Sequence, residues 1–150
     1  MTGVAKLEDH LGFWLRFVSN HVSQAFATKL AEHDITVAEW VVVRSLHGKE
    51  PTAPSQVAQV LGMTKGAITK LADRLIAKGL VLRRASLDDG RAQTLALTPP
   101  GSKLVPKLAA LADTNDAQFF GELSVADRRH LERILRQMVQ RMNMTAAPTD

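Results

Sequence analysis

Between Ser55 and Thr98 the chain reads SQVAQVLGMTKGAITKLADRLIAKGLVLRRASLDDGRAQTLALT, and few folds suit its spacing of small and apolar residues. Ala58, Gly62 and Ile68 come at intervals of four and six residues. Two short helices crossing at a steep angle need that order. Ala58 is small enough for the helices to touch, Gly62 supplies the turn where a positive φ has no steric cost, and Ile68 packs the second helix on the first. Short α-hairpins in ordinary cores share this spacing, so the residues that follow must decide. The second helix is predicted to begin at Thr64, whose hydroxyl can cap free backbone N–H groups, and to stop at Gly79. Ala67, Ile68, Leu71, Leu75 and Ile76 recur at helical spacing and form its buried stripe. Lys65, Gly66, Thr69, Lys70 and Asp73 then face outward, and Lys70, Arg74 and Lys78 make a basic row along one flank. A solvated amphipathic helix would show the same row.

The next stretch separates the two readings. Leu80-Val81-Leu82 and Thr94-Leu95-Ala96-Leu97-Thr98 are β-prone runs, with Arg83, Arg84 and the turn Asp88-Asp89-Gly90-Arg91 between them. An Asp-Gly turn between apolar runs predicts a hairpin. Arg91 at its tip could enter a minor groove, or pair with Asp88 or Asp89 and stiffen the turn; the roles are compatible. The whole stretch reads as a helix-turn-helix followed by a two-stranded basic wing. The net charge of +4 and pI near 9.8 suit a polyanionic partner, and their distribution says more. Residues 51–100 carry seven basic and three acidic side chains, against five and six in residues 1–50 and seven and six in residues 101–150. The excess falls on the segment that would have to attract phosphates.

The run GMTKGAITKLADRLIAKGLVLRR, the wing DDGRAQTLALT and the following Gly101 resemble the MarR family of winged-helix transcription regulators. The resemblance covers about Leu7 to about Met142. Its most specific part is an acidic residue, one spacer and an arginine (Asp89-Gly90-Arg91), then a strand ending in Leu97-Thr98. It implies a homodimer that reads a pseudo-palindromic operator and is often released by a small ligand. Gly90 stands where many relatives carry a further basic residue, which lowers the charge of the wing tip. Some members sense oxidants through cysteine; this chain has none.

Taken in order, the chain is expected to form one domain over residues 1–150, long enough for a real core. The fold is expected to be mostly α with a small two- to three-stranded β wing. Residues 1–35 and 101–145 would supply dimerisation helices, and residues 36–100 the winged helix-turn-helix lobe. After a loose tail, a continuous helix is expected from Leu7, with Leu11, Trp14, Leu15, Val18, Val22, Ala25, Phe26 and Leu30 on an apolar face longer than a small core needs. Thr36-Val37-Ala38-Glu39 is a capping box opening a second helix to about His47, its buried side Trp40, Val43 and Leu46. Ser55, helped by Pro54, starts the first helix of the DNA-binding pair. Pro99-Pro100-Gly101 closes the wing and starts another helix, continued by Leu104, Leu108, Leu111 and Ala112. Ser124-Val125-Ala126-Asp127 opens the last, with Leu131, Ile134, Leu135, Met138, Val139 and Met142 on one face and Arg128, Arg129, Arg133, Arg136 and Arg141 on the other. The final TAAPTD is expected to fray. Dimerising end helices would hold two readers about one DNA turn, roughly 34 Å, apart.

Enzymatic chemistry finds little support: the chain has no cysteine nucleophile, glycine-rich phosphate loop or His-Glu-x-x-His pair. His10, His21, His33, His47 and His130 are scattered, so neither a metal nor a cofactor is expected. No apolar run reaches the roughly 18 residues of a membrane span and no signal peptide opens the chain, so a cytoplasmic location is expected. Ser55, Lys70, Arg74, Lys78, Arg84 and Arg91 are assigned to phosphates or the minor groove, and Thr64, Lys65, Gly66 and Thr69 to base edges, Lys65 donating to guanine. Phe13, Trp14, Phe17, His21 and Trp40 either are core and dimer contacts or line a pocket for the small aromatic or amphipathic effector that the resemblance implies. In the second case Arg16 or Arg44 would pair with its carboxylate. The expected function is sequence-specific binding of double-stranded DNA by a homodimer, as a repressor. The alternative is a winged-helix protein-interaction module without DNA binding.

Overall fold

The computed structural model describes residues 3–86, 88, 90 and 92–149. A 3-10 turn (Leu7–Asp9) precedes α1 (Leu11–Ala31), α2 (Val37–Leu46), α3 (Pro54–Leu61), α4 (Lys65–Ala77), β1 (Val81–Ala85), β2 (Gln93–Leu97), α5 (Pro99–Phe120) and α6 (Val125–Arg141). The first helix is therefore not continuous from Leu7. His10 is extended (φ −98°, ψ 125°) and separates the turn from α1. The polar Leu7-Glu8-Asp9 turn satisfies itself, the Asp9 carboxylate accepting from the Lys6 N–H at 2.9 Å and Trp14 Nε1 donating to the Glu8 carbonyl at 2.9 Å.

The core is built from Leu30, Val42, Val43, Ile68, Ala72, Leu75, Leu95, Val105 and Leu108, each almost fully buried. Two of these correct the sequence reading. Val42 is buried and Trp40 only half-buried, because α2 is covered by α4 on one side and by α1 and α5 on others. Ala72 has no surface left because α4 also packs on β1 and α3. The capping box of α2 forms as expected, with Glu39 N–H on Thr36 Oγ1 at 3.1 Å and Thr36 N–H on Glu39 Oε1 at 2.9 Å. Ser55, by contrast, does not open α3: Ala53 is the cap, Pro54 the first helical residue, and Ser55 follows within the first turn. Pro54 needs no N–H there, so it displaces serine from the start.

The wing is a two-stranded antiparallel hairpin in the register Val81↔Leu97, Arg83↔Leu95 and Ala85↔Gln93. Arg83 and Arg84 lie inside β1 and not beyond it. A third strand is reduced to one bridge, Thr52 exchanging backbone hydrogen bonds with Leu95 at 2.9 and 2.8 Å. Thr98 fastens the wing to its neighbours. Its hydroxyl accepts from the Gly101 N–H at 3.1 Å, capping α5, and donates to the Gly79 carbonyl at 2.6 Å. Gly101 is buried against the Leu80 carbonyl, so closely that a Cβ there would overlap it.

Helix α6 starts at Ser124, whose hydroxyl accepts from the Asp127 N–H at 3.1 Å, and it buries no residue. The tail beyond it does not fray. Asn143 turns the chain with a φ of 50°, and Ala147 N–H donates to the Leu61 carbonyl at 2.9 Å, so that the tail lies across the α3–α4 turn.

Candidate nucleic-acid interface

Helix α4 presents its N-terminal half to solvent. Ile68, Leu71, Ala72 and Leu75 hold its other side in the core, which leaves Lys65, Gly66, Thr69, Lys70 and Arg74 exposed. Residues four apart share a flank, so Lys65, Thr69 and Asp73 face one way and Lys70 and Arg74 another. The first flank borders a cleft of about 460 Å³ between α3, α4 and the wing, which brings Ser55, Lys65 and Thr69 together. Arg83 also lines it and reaches Asp73 at 2.8 Å. Its participation was not foreseen, since nothing in a sequence distinguishes the arginine of a hairpin that turns toward the helix. Side chains alternate along a strand, so Arg84 lies on the opposite face of β1, exposed. Lys65, Lys70, Arg74 and Arg84 have no ion-pair partner among the described residues. Arg91 and Asp89 lie outside the described residues.

Three assignments change. Lys78 belongs to the fold and not to the basic row. Its ammonium lies 3.1 and 3.0 Å from Glu39 Oε1 and Oε2, donates to the Asp34 carbonyl, and stands 3.7 Å from the Asp34 carboxylate. Glu39 is 1% exposed, and a carboxylate so placed requires a cation. Burial pushes its carboxyl up, but the Thr36 amide, Lys78 and the Thr36 hydroxyl together hold it below the ordinary range. Thr64 accepts from the Ala67 N–H at 3.1 Å, so its oxygen caps the helix first. Thr69 donates to the Lys65 carbonyl at 3.0 Å. It therefore faces solvent as an acceptor and a methyl group.

The seven residues assigned to an effector do not converge. Phe13, Trp14, Phe17 and His21 form a ladder along α1, with Phe13 and Trp14 edge to face at 5.2 Å and Phe17 and His21 stacked at 5.0 Å. Trp14, Phe17 and His21 are exposed, as are Arg16 and Arg44. Trp40 pairs instead with Phe26, centroids 6.4 Å apart, in a groove of about 340 Å³ lined also by Val22, Val37, Ala112, Asn115 and Pro148. Phe26 is nine residues beyond Phe17, about 14 Å along a helix, so the aromatics that were grouped occupy two places. Among the described residues no group of His, Asp and Glu could hold a metal ion, and no helix is long and apolar enough to cross a membrane.

A helix-turn-helix whose second helix is exposed beside a two-stranded hairpin defines a winged-helix protein. Residues 33–92 match the model of the MarR family. It is similar to an HTH-type transcriptional repressor of Mycobacterium tuberculosis, 25% identical over 128 residues that cover 85% of this chain and 92% of the relative. It is also similar to the transcriptional regulator HosA of Escherichia coli, 24% identical over 106 residues, 71% of this chain and 78% of the relative. Among solved structures, a mutant MarR from E. coli complexed with operator DNA superposes with a TM-score of 0.77 at 25% identity, over 86% of this chain and 93% of that one. The fold is thus that of a winged-helix protein, and the proteins it is similar to are transcription regulators.

Proposed function

We propose that a homodimer of this chain binds a pseudo-palindromic operator in double-stranded DNA as a repressor, α4 in the major groove and the hairpin alongside. The observation that carries this is the set of exposed cations on α4 and β1 (Lys65, Lys70, Arg74 and Arg84), without an ion-pair partner among the described residues, around a helix whose other side is buried. Lys65 would donate to guanine O6 or N7, Gly66 would let the backbone approach, and Thr69 would offer its methyl to thymine or its oxygen to a base amine. Ser55, Lys70, Arg74 and Arg84 would hold phosphates, and Arg91 the minor groove. Residues 36–100 would be the reading lobe, with residues 1–35 and 101–145 the dimerising part. Leu11, Trp14, Leu15 and Val18 on α1 and Ile134, Met138, Val139 and Met142 on and just beyond α6 are exposed at 39–83%. So much apolar surface on two long helices suits a partner copy. The solved operator complex of a MarR relative and the repressor relative support the same reading. A small aromatic or amphipathic effector would enter the groove beside Phe26 and Trp40 and change the spacing of the readers.

Fluorescence anisotropy with DNA from the gene's own upstream region, across a salt series and beside scrambled DNA, tests this. Three phosphate-binding cations on each protomer (Lys70, Arg74 and Arg84) give a slope of log K against log salt of about −5. Binding that prefers the upstream DNA with such a slope is the expected result. Absence of binding at low salt by a folded dimer would refute it and favour a protein-interaction module.

A further inference from the structure

The tail after α6 is held at both of its ends by contacts with other parts of the fold. Helix α6 ends in a defined turn, with Asn143 at a φ of 50° and Met144 N–H donating to the Val139 carbonyl at 3.0 Å. This turn sends residues 145–148 back over the α3–α4 turn. There Ala147 N–H donates to the Leu61 carbonyl at 2.9 Å, and Ala147 is half-buried against the core. Gly62 makes room for the tail as well as for the turn. Its φ is 65°, and a Cβ on it would overlap the Thr145 carbonyl and stand 2.8 Å from the Ala146 Cα. One residue further on, Pro148 lines the groove that holds Phe26 and Trp40. The same four residues therefore touch the turn of the helix-turn-helix and the groove that Trp40 lines.

We propose that residues 145–148 are a latch coupling occupancy of the Trp40 groove to the position of the helix-turn-helix. A molecule larger than the groove's volume of about 340 Å³ must displace part of its lining, to which Pro148, exposed on the tail, belongs. Moving Pro148 pulls on Ala147, and the hydrogen bond to Leu61 is lost. With the tail closed, the α3–α4 turn is tied to the end of α6 and the reader has one position. With the tail open, the reader samples several, and operator affinity falls by the fraction of time it spends in the wrong ones. Because coupling is reciprocal, bound operator would in turn tighten the tail over the groove. The operator part rests on the function proposed above.

Two variants of the full chain test the latch. Ala147→Pro removes the N–H that Leu61 accepts, and a stop codon after Asn143 removes the tail. The probe is 1-anilinonaphthalene-8-sulfonate, an aromatic anion. One backbone hydrogen bond corresponds to about a fivefold change in the closed population, so both variants should bind the dye about fivefold more tightly than wild type. Tryptophan emission should also change, since Trp40 lies beside Pro148 and Trp14 lies far along α1. Operator affinity should fall by a similar factor. Unchanged dye affinity and emission in both variants would overturn the latch. Dye affinity that rises while operator affinity stays at the wild-type value would overturn the coupling. If no form of the protein binds the upstream DNA but dye affinity rises, the latch stands and the proposed function fails.

Discussion

Lys78→Ala should unfold the protein more easily without touching DNA recognition, although by sequence this lysine continues the row of Lys70 and Arg74. In the structure its ammonium meets both oxygens of Glu39 at 3.1 and 3.0 Å, and Glu39 is 1% exposed. Removing the cation leaves a carboxylate in the interior. Breaking a buried pair in this way costs about 3–5 kcal/mol, but the Lys78 side chain is 26% exposed and water can follow it in, so we expect about 2–3 kcal/mol. For a chain of this length that is a fall in Tm of about 5–10 °C, read by circular dichroism at one protein concentration. The pH dependence has a definite sign. In the wild type the carboxyl sits below its ordinary value, so its stabilisation is complete above the ordinary carboxylate range and is lost as pH falls through the lowered pKa. In the variant burial dominates and the carboxyl rises, so its penalty is present at neutral pH and relieved in acid. The difference in Tm should therefore shrink from pH 7 towards pH 4. An unchanged Tm at pH 7, with operator affinity reduced and the salt slope of the dimer smaller by about 2, would refute the assignment and return Lys78 to the phosphates.

Three further outcomes are expected. Lys65→Ala should change the order of preference among operator variants by about 1–3 kcal/mol at one base pair, whereas Arg74→Ala should weaken all sequences alike; anisotropy against a panel of single-base substitutions separates them. Gly101→Ala should cost about 1–3 kcal/mol in urea denaturation, because the new methyl meets the Leu80 carbonyl and the backbone must give way. Met138→Glu, on the exposed apolar face of α6, should shift sedimentation from dimer to monomer, and a mass unchanged at micromolar concentration would remove α6 from the interface.

How far the sequence could be read depended on whether each feature was local. The α2 capping box, the turn at Gly62 and the end of α4 at Gly79 all follow from residues a few positions apart, and the structure has them where spacing put them. Lys78 was misread because the partner that claims it, Glu39, is 39 residues away. Arg83 was overlooked because its pairing with Asp73 needs the hairpin folded against α4. The aromatic group divides for a related reason: Phe13 and Phe17 are close together along α1, but Trp40 stands on α2, and packing pairs it with Phe26. Docking of the tail on Leu61 has no local signal at all, since TAAPTD has the composition of a frayed end.

The contact between Gly101 and the Leu80 carbonyl, together with the two hydrogen bonds of the Thr98 hydroxyl, joins the wing to the first turn of α5 without slack. Helix α5 is 22 residues, a rod of about 33 Å. A rod clamped at one end magnifies angles. Tilting it by about 5° moves the far end by about 3 Å, nearly one base-pair step, while no atom near the clamp shifts by more than a fraction of an ångström. Changes in the pairing of two copies at the distal ends of their helices would reach the wings as a rotation, and crystal structures of different states could then look almost identical at the hinge.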